Sequence, residues 1–346
     1  MLQFRLREYE GPQLSVNELC DKWAEHAQTY YRTKDGKKTT ELASVVIAVR
    51  SLREMYGERK ICDLRHRDII AWRGVLEHSG VCRYSANKQL GIFKRMMRWA
   101  LDEDLVAPID VAELTQVQPL KRNRSAAPEP PPIRPVDDAT IERTVKELTP
   151  TIADMVFVHR HTGMRPGELC QLKWEDIDRT ATPWVYRPAT HKNDWRGRPR
   201  AICIGPRVRA VLLRHADVAP DMPIFSPRDS EVERMAKMRA AAHAPSRYCR
   251  ANADPSRRRK YNAGWDSCAY TKSIRYACHR AGVEPWGSNR LRHAFATEVR
   301  RAFGLSACRA VLGHSDGESS ITDRYSYDAI EDECIAMAKT AVEALG

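Results

Sequence analysis

Long apolar runs are missing from this 346-residue sequence. The longest is ASVVIAV, at positions 43–49. A bilayer-spanning helix needs about 20 apolar residues, so none is expected, and the mean hydropathy of −0.55 agrees. The opening MLQFRLREYE mixes charged and apolar side chains and lacks the apolar stretch of a secretory leader. Cys-x-x-Cys pairs are also missing. The ten cysteines are scattered along the chain, which reads as reduced thiols in a cytoplasmic protein. The nearest approach to a metal cluster is His243, Cys249, Cys268, Cys278 and His279. Its spacing fits no standard zinc pattern, so no metal is expected. GxxxxGK[ST], GxSxG, HExxH and a strand–GxGxxG–helix are absent too. Familiar nucleotide-dependent and hydrolytic chemistries lose weight accordingly, and no cofactor is expected.

Negative charge is in short supply. Lysine plus arginine number 57 against 45 for aspartate plus glutamate, a formal net charge of +12. A surplus of this size speaks for a polyanionic partner, of which nucleic acid is the commonest. Charged residues make up 29% of the chain, near the usual quarter, so the chain reads as a folded basic protein and not as a basic tail. Its length suits two or three domains.

Residues 1–12 read as an N-terminal arm. Ser15 and Glu18 then form an S-x-x-E capping box at the start of a helix. Leu42, Val45, Val46, Val49 and Leu52 recur with the helical period, up to Gly57. A third helix over 68–78 turns Ile69, Trp72 and Leu76 inward. A fourth over 85–105 turns Leu90, Phe93, Met97 and Leu101 inward and carries Arg83, Lys88, Lys94, Arg95 and Arg98 on another face. Four helices within 13–118 describe a compact helical domain. Residues 119–135, PLKRNRSAAPEPPPIRP, read as a proline-rich basic linker. Its Lys121, Arg122 and Arg124 either track a phosphate backbone or simply keep a spacer solvated.

A larger domain, 136–346, follows. Helices are expected at 138–148 and 151–161, the second ended by Gly163. Pro166 suits the first turn of another. Residues 174–204 alternate as two or three antiparallel strands, with 189–198 as a hairpin tip. Residues 227–262 read as an irregular basic insertion, and a tail helix covers 329–346. That tail could pack on its own domain or on a neighbouring subunit. The fold class is mainly α with a small antiparallel sheet, α+β.

Three segments stand out: TGMRPGELCQL with Arg165, NRLRHAFATEVRRAFG with Arg292, and LGHSDGESSITDRYSY with His314 and Tyr325. Each alone is bland. An arginine at a helix start is usually a cap or salt-bridge partner, and Glu168 could pair with Arg165 on one helix face. In order, with Lys192 in the hairpin between the first two, they resemble the tyrosine recombinase (phage integrase) family over nearly the whole chain. The resemblance implies a helical core-binding domain followed by an integrase-type catalytic domain. It also implies a site made of Arg165, Lys192, Asn289, Arg292, His314 and Tyr325.

The chemistry suits those residue types. A tyrosine hydroxyl can hold a cleaved strand as a 3′-phosphotyrosine. Two guanidinium forks can hold the charged transition state. Arg165 also stands at an expected helix N-terminus, which favours an anion. Lys192 is the hairpin's only lysine and can protonate the leaving oxygen. Arg196, Arg198 and Arg200 are poorer acids, because guanidinium hardly deprotonates. The resemblance assigns His314 to the scissile phosphate and Tyr325 to the attack, with Tyr327 as fallback.

Two departures from the family pattern are visible. Asn289 stands where the family usually has histidine. His293 is a weak substitute, since one step along a helix turns it about 100° away. His314 and Tyr325 are also separated by about two residues more than is usual in the family.

The expected function is therefore site-specific DNA recombination, in integration or excision of a mobile element. The expected partner is double-stranded DNA, clamped between the two domains, with a homotetramer on synapsed sites and an accessory DNA-bending or directionality factor. DNA contacts are expected from Lys88, Lys94, Arg95, Arg98, Lys121, Arg122 and Arg124. The expected location is the cytoplasm, at the nucleoid. The rival readings are a type IB topoisomerase-like enzyme and a catalytically decayed DNA-binding homologue.

Overall fold

The computed structural model describes residues 9–32, 36, 38–131, 133–190, 199–241, 261–313 and 327–345. The chain divides into two compact units, Met1–Pro132 and Ile133–Gly346.

The first unit is helical among its described residues. Helix α1 (Val16–Tyr30) starts at the expected capping box. Ser15 Oγ accepts from the Glu18 N–H at 3.2 Å, and Ser15 N donates to Glu18 Oε2 at 2.7 Å. Helices α2 (Glu41–Tyr56), α3 (His66–His78) and α4 (Arg83–Asp102) follow. The apolar stripes lie where the 3.6-residue period puts them: Val45, Val49, Leu52, Ile69, Trp72, Leu76, Leu90, Phe93 and Met97 are all buried. Trp72 meets Phe93 edge to face at 5.6 Å and donates its indole N–H to Ser51 Oγ at 3.0 Å. Leu42 and Leu101 only border this core, and Val46, expected in the α2 stripe, is exposed.

Two expectations for this unit need correction. A fifth helix, α5 (Pro108–Leu114), completes the bundle. It is too short for a periodic stripe and buries only Val111 and Leu114. The stretch 119–131 is no free spacer either. Leu120 and Ala127 are buried in the bundle core. Asn87 bonds both the N–H and the carbonyl of Leu120, at 2.7 and 2.9 Å, and Arg83 pairs with Glu129. Proline removes backbone donors, but side-chain amides and ion pairs satisfy the segment from outside.

The second unit carries α6 (Asp138–Val145), α7 (Pro150–Thr162), α8 (Pro166–Cys170), β1 (Ile177–Asp178), β2 (Trp184–Tyr186), β3 (Ile202–Ile204) and α9 (Pro206–Leu212). It continues with α10 (Pro227–Ala241), α11 (Ser267–Ala281), α12 (Asn289–Leu312) and α13 (Tyr327–Leu345). The strands form an antiparallel sheet in the order β1-β2-β3, with Ile177 opposite Tyr186 and Val185 opposite Cys203. This is the mainly α, small-sheet class expected. Helix α12 is interrupted at Gly304, whose φ of +84° no other residue adopts cheaply.

The expected irregular insertion at 227–262 begins as the regular helix α10. Its apolar residues are too sparse to show a period. It is held instead by polar contacts: Glu233 Oε2 accepts from the Thr151 N–H at 2.9 Å, and Thr149 Oγ1 lies 2.7 Å from Ser230 Oγ. The basic run at 257–260 lies outside the described residues. Helix α13 packs on its own unit, burying Ala338, Ala341 and Val342 against Phe295, Val299 and Val311. No helix among the described residues is long and apolar enough to cross a membrane.

Candidate active site

Helix α7 ends at Gly163, whose φ of +61° reverses the chain. A Cβ there would fall 2.3 Å from a carbon of the Phe295 ring, so α12 approaches this turn closely. Two residues later Arg165 caps α8, with Pro166 at the first helical position.

Glu168 turns back on Arg165. Its Oε2 accepts from the Arg165 backbone N–H at 2.7 Å, and its Oε1 accepts from Nη1 at 2.7 Å. The helix start that was expected to face an anion is thus already capped by an internal carboxylate. The Arg165 side chain remains 20% exposed while that of Glu168 is 3% exposed.

Arg292 comes from α12 and is buried. Its Nη1 donates to the Gly163 carbonyl at 2.6 Å and its Nη2 to the Leu312 carbonyl at 2.7 Å. These two bonds tie the Arg165 turn to the C-terminal end of α12, whose free carbonyls attract a cation. Burial, and then repulsion from Arg200 and Arg165, pull the Arg292 guanidinium down to about 9. It stays cationic at neutral pH.

Arg200 is the residue that sequence reasoning passed over. It precedes β3 and is 6% exposed. Its Nη1 donates to the Val311 carbonyl at 3.0 Å, beside the carbonyl that Arg292 takes. Its Nε lies 3.5 Å from Glu168 Oε1, an ion pair without hydrogen-bond geometry. Its Nη2 is buried with no hydrogen-bond partner among the described residues. A Cβ on Gly313 would meet Arg200 Nη1 at 2.6 Å. Burial would raise the Glu168 carboxyl, but Arg200, the Arg165 N–H and the Arg165 guanidinium outweigh it and hold it below the ordinary range. The alternation could have flagged Arg200: positions 200, 202 and 204 share a strand face, and Ile202 and Ile204 are core residues.

Asn289 opens α12 and is exposed. Its Nδ2 lies 3.2 Å from His293 Nε2, one helical turn on. Burial, then Arg292 and Arg290, lower the His293 imidazole. Of the expected site residues, the structure brings Arg165 and Arg292 together, with Asn289 one turn before Arg292. Lys192, His314 and Tyr325 lie outside the described residues. The chain leading to them is described: β2 and β3 flank the Lys192 segment, Gly313 precedes His314, and α13 begins two residues after Tyr325.

The basic face of α4 is less open than expected. Lys88 donates to Ser44 Oγ at 2.8 Å and pairs with Glu41, which also binds Arg95 Nη2 at 2.5 Å. Lys94 Nζ donates to the Val117 carbonyl at 2.6 Å, and burial lowers its pKa. Arg98, Lys121, Arg122 and Arg124 are exposed.

The solved structures decide the fold. A lambda integrase dimer bound to a COC′ core site aligns over 91% of this chain and 78% of its own, with TM-score 0.59 and 15% identity. The chain has the fold of this integrase. A lambda integrase tetramer bound to a Holliday junction aligns over 90% of this chain and 77% of its own, with TM-score 0.60 and 14% identity. Residues 82–397 of the Tn1549 transposon integrase, in complex with circular intermediate DNA, align over 90% and 98%, with TM-score 0.57 and 15% identity. No protein-family model and no curated protein matches the sequence.

Proposed function

We propose that this protein is a site-specific DNA recombinase that cuts and rejoins strands through a 3′-phosphotyrosine intermediate, in integration or excision of a mobile element. The observation that carries the reading is the convergence of Arg165 and Arg292. Two guanidinium groups more than a hundred residues apart in sequence are fixed at one turn by Glu168, the Gly163 carbonyl and the Leu312 carbonyl. Such preorganised cations suit a phosphoryl centre whose oxygens gain charge in the transition state.

In the proposed reaction the Tyr325 oxygen attacks the scissile phosphorus. The phosphorus–O5′ bond breaks, and Lys192 delivers a proton to the leaving O5′. Arg165 and Arg292 hold the non-bridging oxygens, while Asn289 and His314 hydrogen-bond the phosphate. Energy of the phosphodiester stays in the phosphotyrosine, so rejoining by a 5′-hydroxyl needs no nucleotide.

Residues 13–118 serve as the core-binding domain and 136–346 as the catalytic domain. Lys88, Lys94, Arg95, Arg98, Lys121, Arg122 and Arg124 are proposed for the DNA backbone, with Arg98 and the 121–124 segment foremost because, unlike Lys88 and Arg95, they are exposed without a carboxylate partner among the described residues. The working assembly is a homotetramer on two synapsed duplexes at the nucleoid, aided by a DNA-bending or directionality factor.

The test needs no known target site. The protein is incubated with sheared DNA of its own host, and covalent adducts are trapped by detergent–potassium precipitation and sequenced. A discrete sequence linked through its 3′ phosphate is expected, lost in Tyr325→Phe. Loss in Tyr327→Phe with Tyr325→Phe active moves the nucleophile. Adducts without sequence preference favour a topoisomerase. Binding without any adduct favours the decayed homologue that Asn289 brings to mind.

A further inference from the structure

Three guanidinium groups and one carboxylate meet at the Arg165 turn, an excess of two positive charges among the four described side chains. The motifs account for two of the arginines. Arg200 is the third, and its burial is the more demanding: the side chain is 4% exposed, and Nη2 has no hydrogen-bond partner among the described residues. Burying a guanidinium is costly unless something nearby uses its charge.

We infer that Arg200 is a positioning residue which acts through Glu168 to keep the Arg165 fork available to a phosphate. The inference rests on the strand-transfer reading for its substrate and on this chain's geometry for everything else.

Glu168 Oε1 is shared. It accepts from Arg165 Nη1 at 2.7 Å and lies 3.5 Å from Arg200 Nε. With Arg165 as its only cation, the carboxylate would form a neutral pair with it and oppose any incoming anion. With Arg200 on its other side, the carboxylate is already balanced. It can then orient Arg165 without cancelling its charge.

The second arm of Arg200 explains why this residue is an arginine. Nη1 reaches the Val311 carbonyl while Arg292 Nη2 reaches the next one, Leu312. The two forks together hold the end of α12. Gly313 follows directly, and the missing Cβ there is what lets Arg200 in. One side chain thus links the strand that follows the Lys192 segment, the carboxylate that aims Arg165, and the helix end that precedes His314. A lysine keeps the charge but cannot reach in two directions.

The test uses Arg200→Met, Arg200→Lys, Glu168→Gln and the double variant Glu168→Gln/Arg200→Met in the full chain. Thermal melting checks that each is folded. Arg200→Lys retains the buried charge should Arg200→Met fail to fold. Single-turnover adduct formation is measured on the captured DNA sequence, and orthophosphate binding is measured by calorimetry without DNA.

Arg200→Met should slow adduct formation by about 10²-fold, the usual cost of a misplaced catalytic group, with DNA affinity unchanged. It should weaken orthophosphate by about tenfold, and Arg200→Lys should recover part of both losses. In the Glu168→Gln background, adding Arg200→Met should cost much less than it does alone, since the carboxylate it balances is gone. Additive losses, or an Arg200→Met protein with wild-type rate and phosphate binding, overturn the inference. Absence of any adduct in the wild type sinks the strand-transfer reading alone. The phosphate measurements then decide: the non-additive pattern upholds the Arg200 role, and no phosphate binding by the wild type overturns it.

Discussion

Glu41 in the helical unit and Glu168 in the larger one have the same chemical arrangement, one carboxylate shared by two cations. Glu41 serves Lys88 and Arg95, and Glu168 serves Arg165 and Arg200. Their surroundings differ. The Glu41 side chain is 26% exposed and its partners are more so. Water and salt screen such a group, and its side chains lose rotamer freedom to form it. Glu168 and Arg200 are nearly dry, so each charge depends on the others, and removing one strands the rest. A contact pattern alone does not say whether an ion cluster matters; the dielectric around it does.

The hardest break is Glu168→Ala. It should cost about 3–5 kcal/mol of unfolding free energy in urea titration, the usual penalty for orphaning a buried charge. A loss under about 1 kcal/mol would mean that water reaches the cluster.

Next comes Arg292→Ala, which leaves the Gly163 and Leu312 carbonyls without their donor and removes a phosphate ligand. Adduct formation should fall by about 10²–10³-fold, far more than DNA affinity. Equal losses in both would make Arg292 a binding residue only.

Acid sharpens the contrast. Burial pulls the His159 imidazole from 6.5 down to about 3, so the unfolded chain takes up a proton that the folded chain refuses. Stability should therefore fall as pH drops from about 6.5 toward 3. Glu168 is held below its ordinary 4.5, so its contribution is intact above that value and is lost as pH falls through the lowered one. Denaturation followed across this range should show the His159 part flattened in His159→Phe.

The smallest effect belongs to Glu41→Ala, at most about 1 kcal/mol and fading with added salt. A cost as large as that of Glu168→Ala would erase the difference between the two clusters.

The bundle's stripes were readable because burial repeats at the helical period, as Val45, Val49 and Leu52 show on one helix and Leu90, Phe93 and Met97 on another. The turn at Gly163–Pro166 was readable from backbone chemistry, glycine to reverse the chain and proline to start again. Helix α10 was not readable, because it is held by Thr149, Thr151, Ser230 and Glu233 and not by an apolar face. The packed 119–131 segment was misjudged for a related reason: its anchors, Leu120 and Ala127, are isolated among prolines and charges. At the site, Arg165 and Arg292 are visible as motif residues, whereas Arg200 stands in the sequence only as a poorer acid than Lys192.

By itself, the sequence determined the helical periods, the caps and turns, the charge surplus and the order of the motif residues. All of these depend on neighbours a few positions away. Tertiary structure decided which cations share a carboxylate and which of them are dry. Positions 165, 200 and 292 are joined only by folding, and the strength of a charge–charge contact depends on how much water the rest of the fold leaves around it.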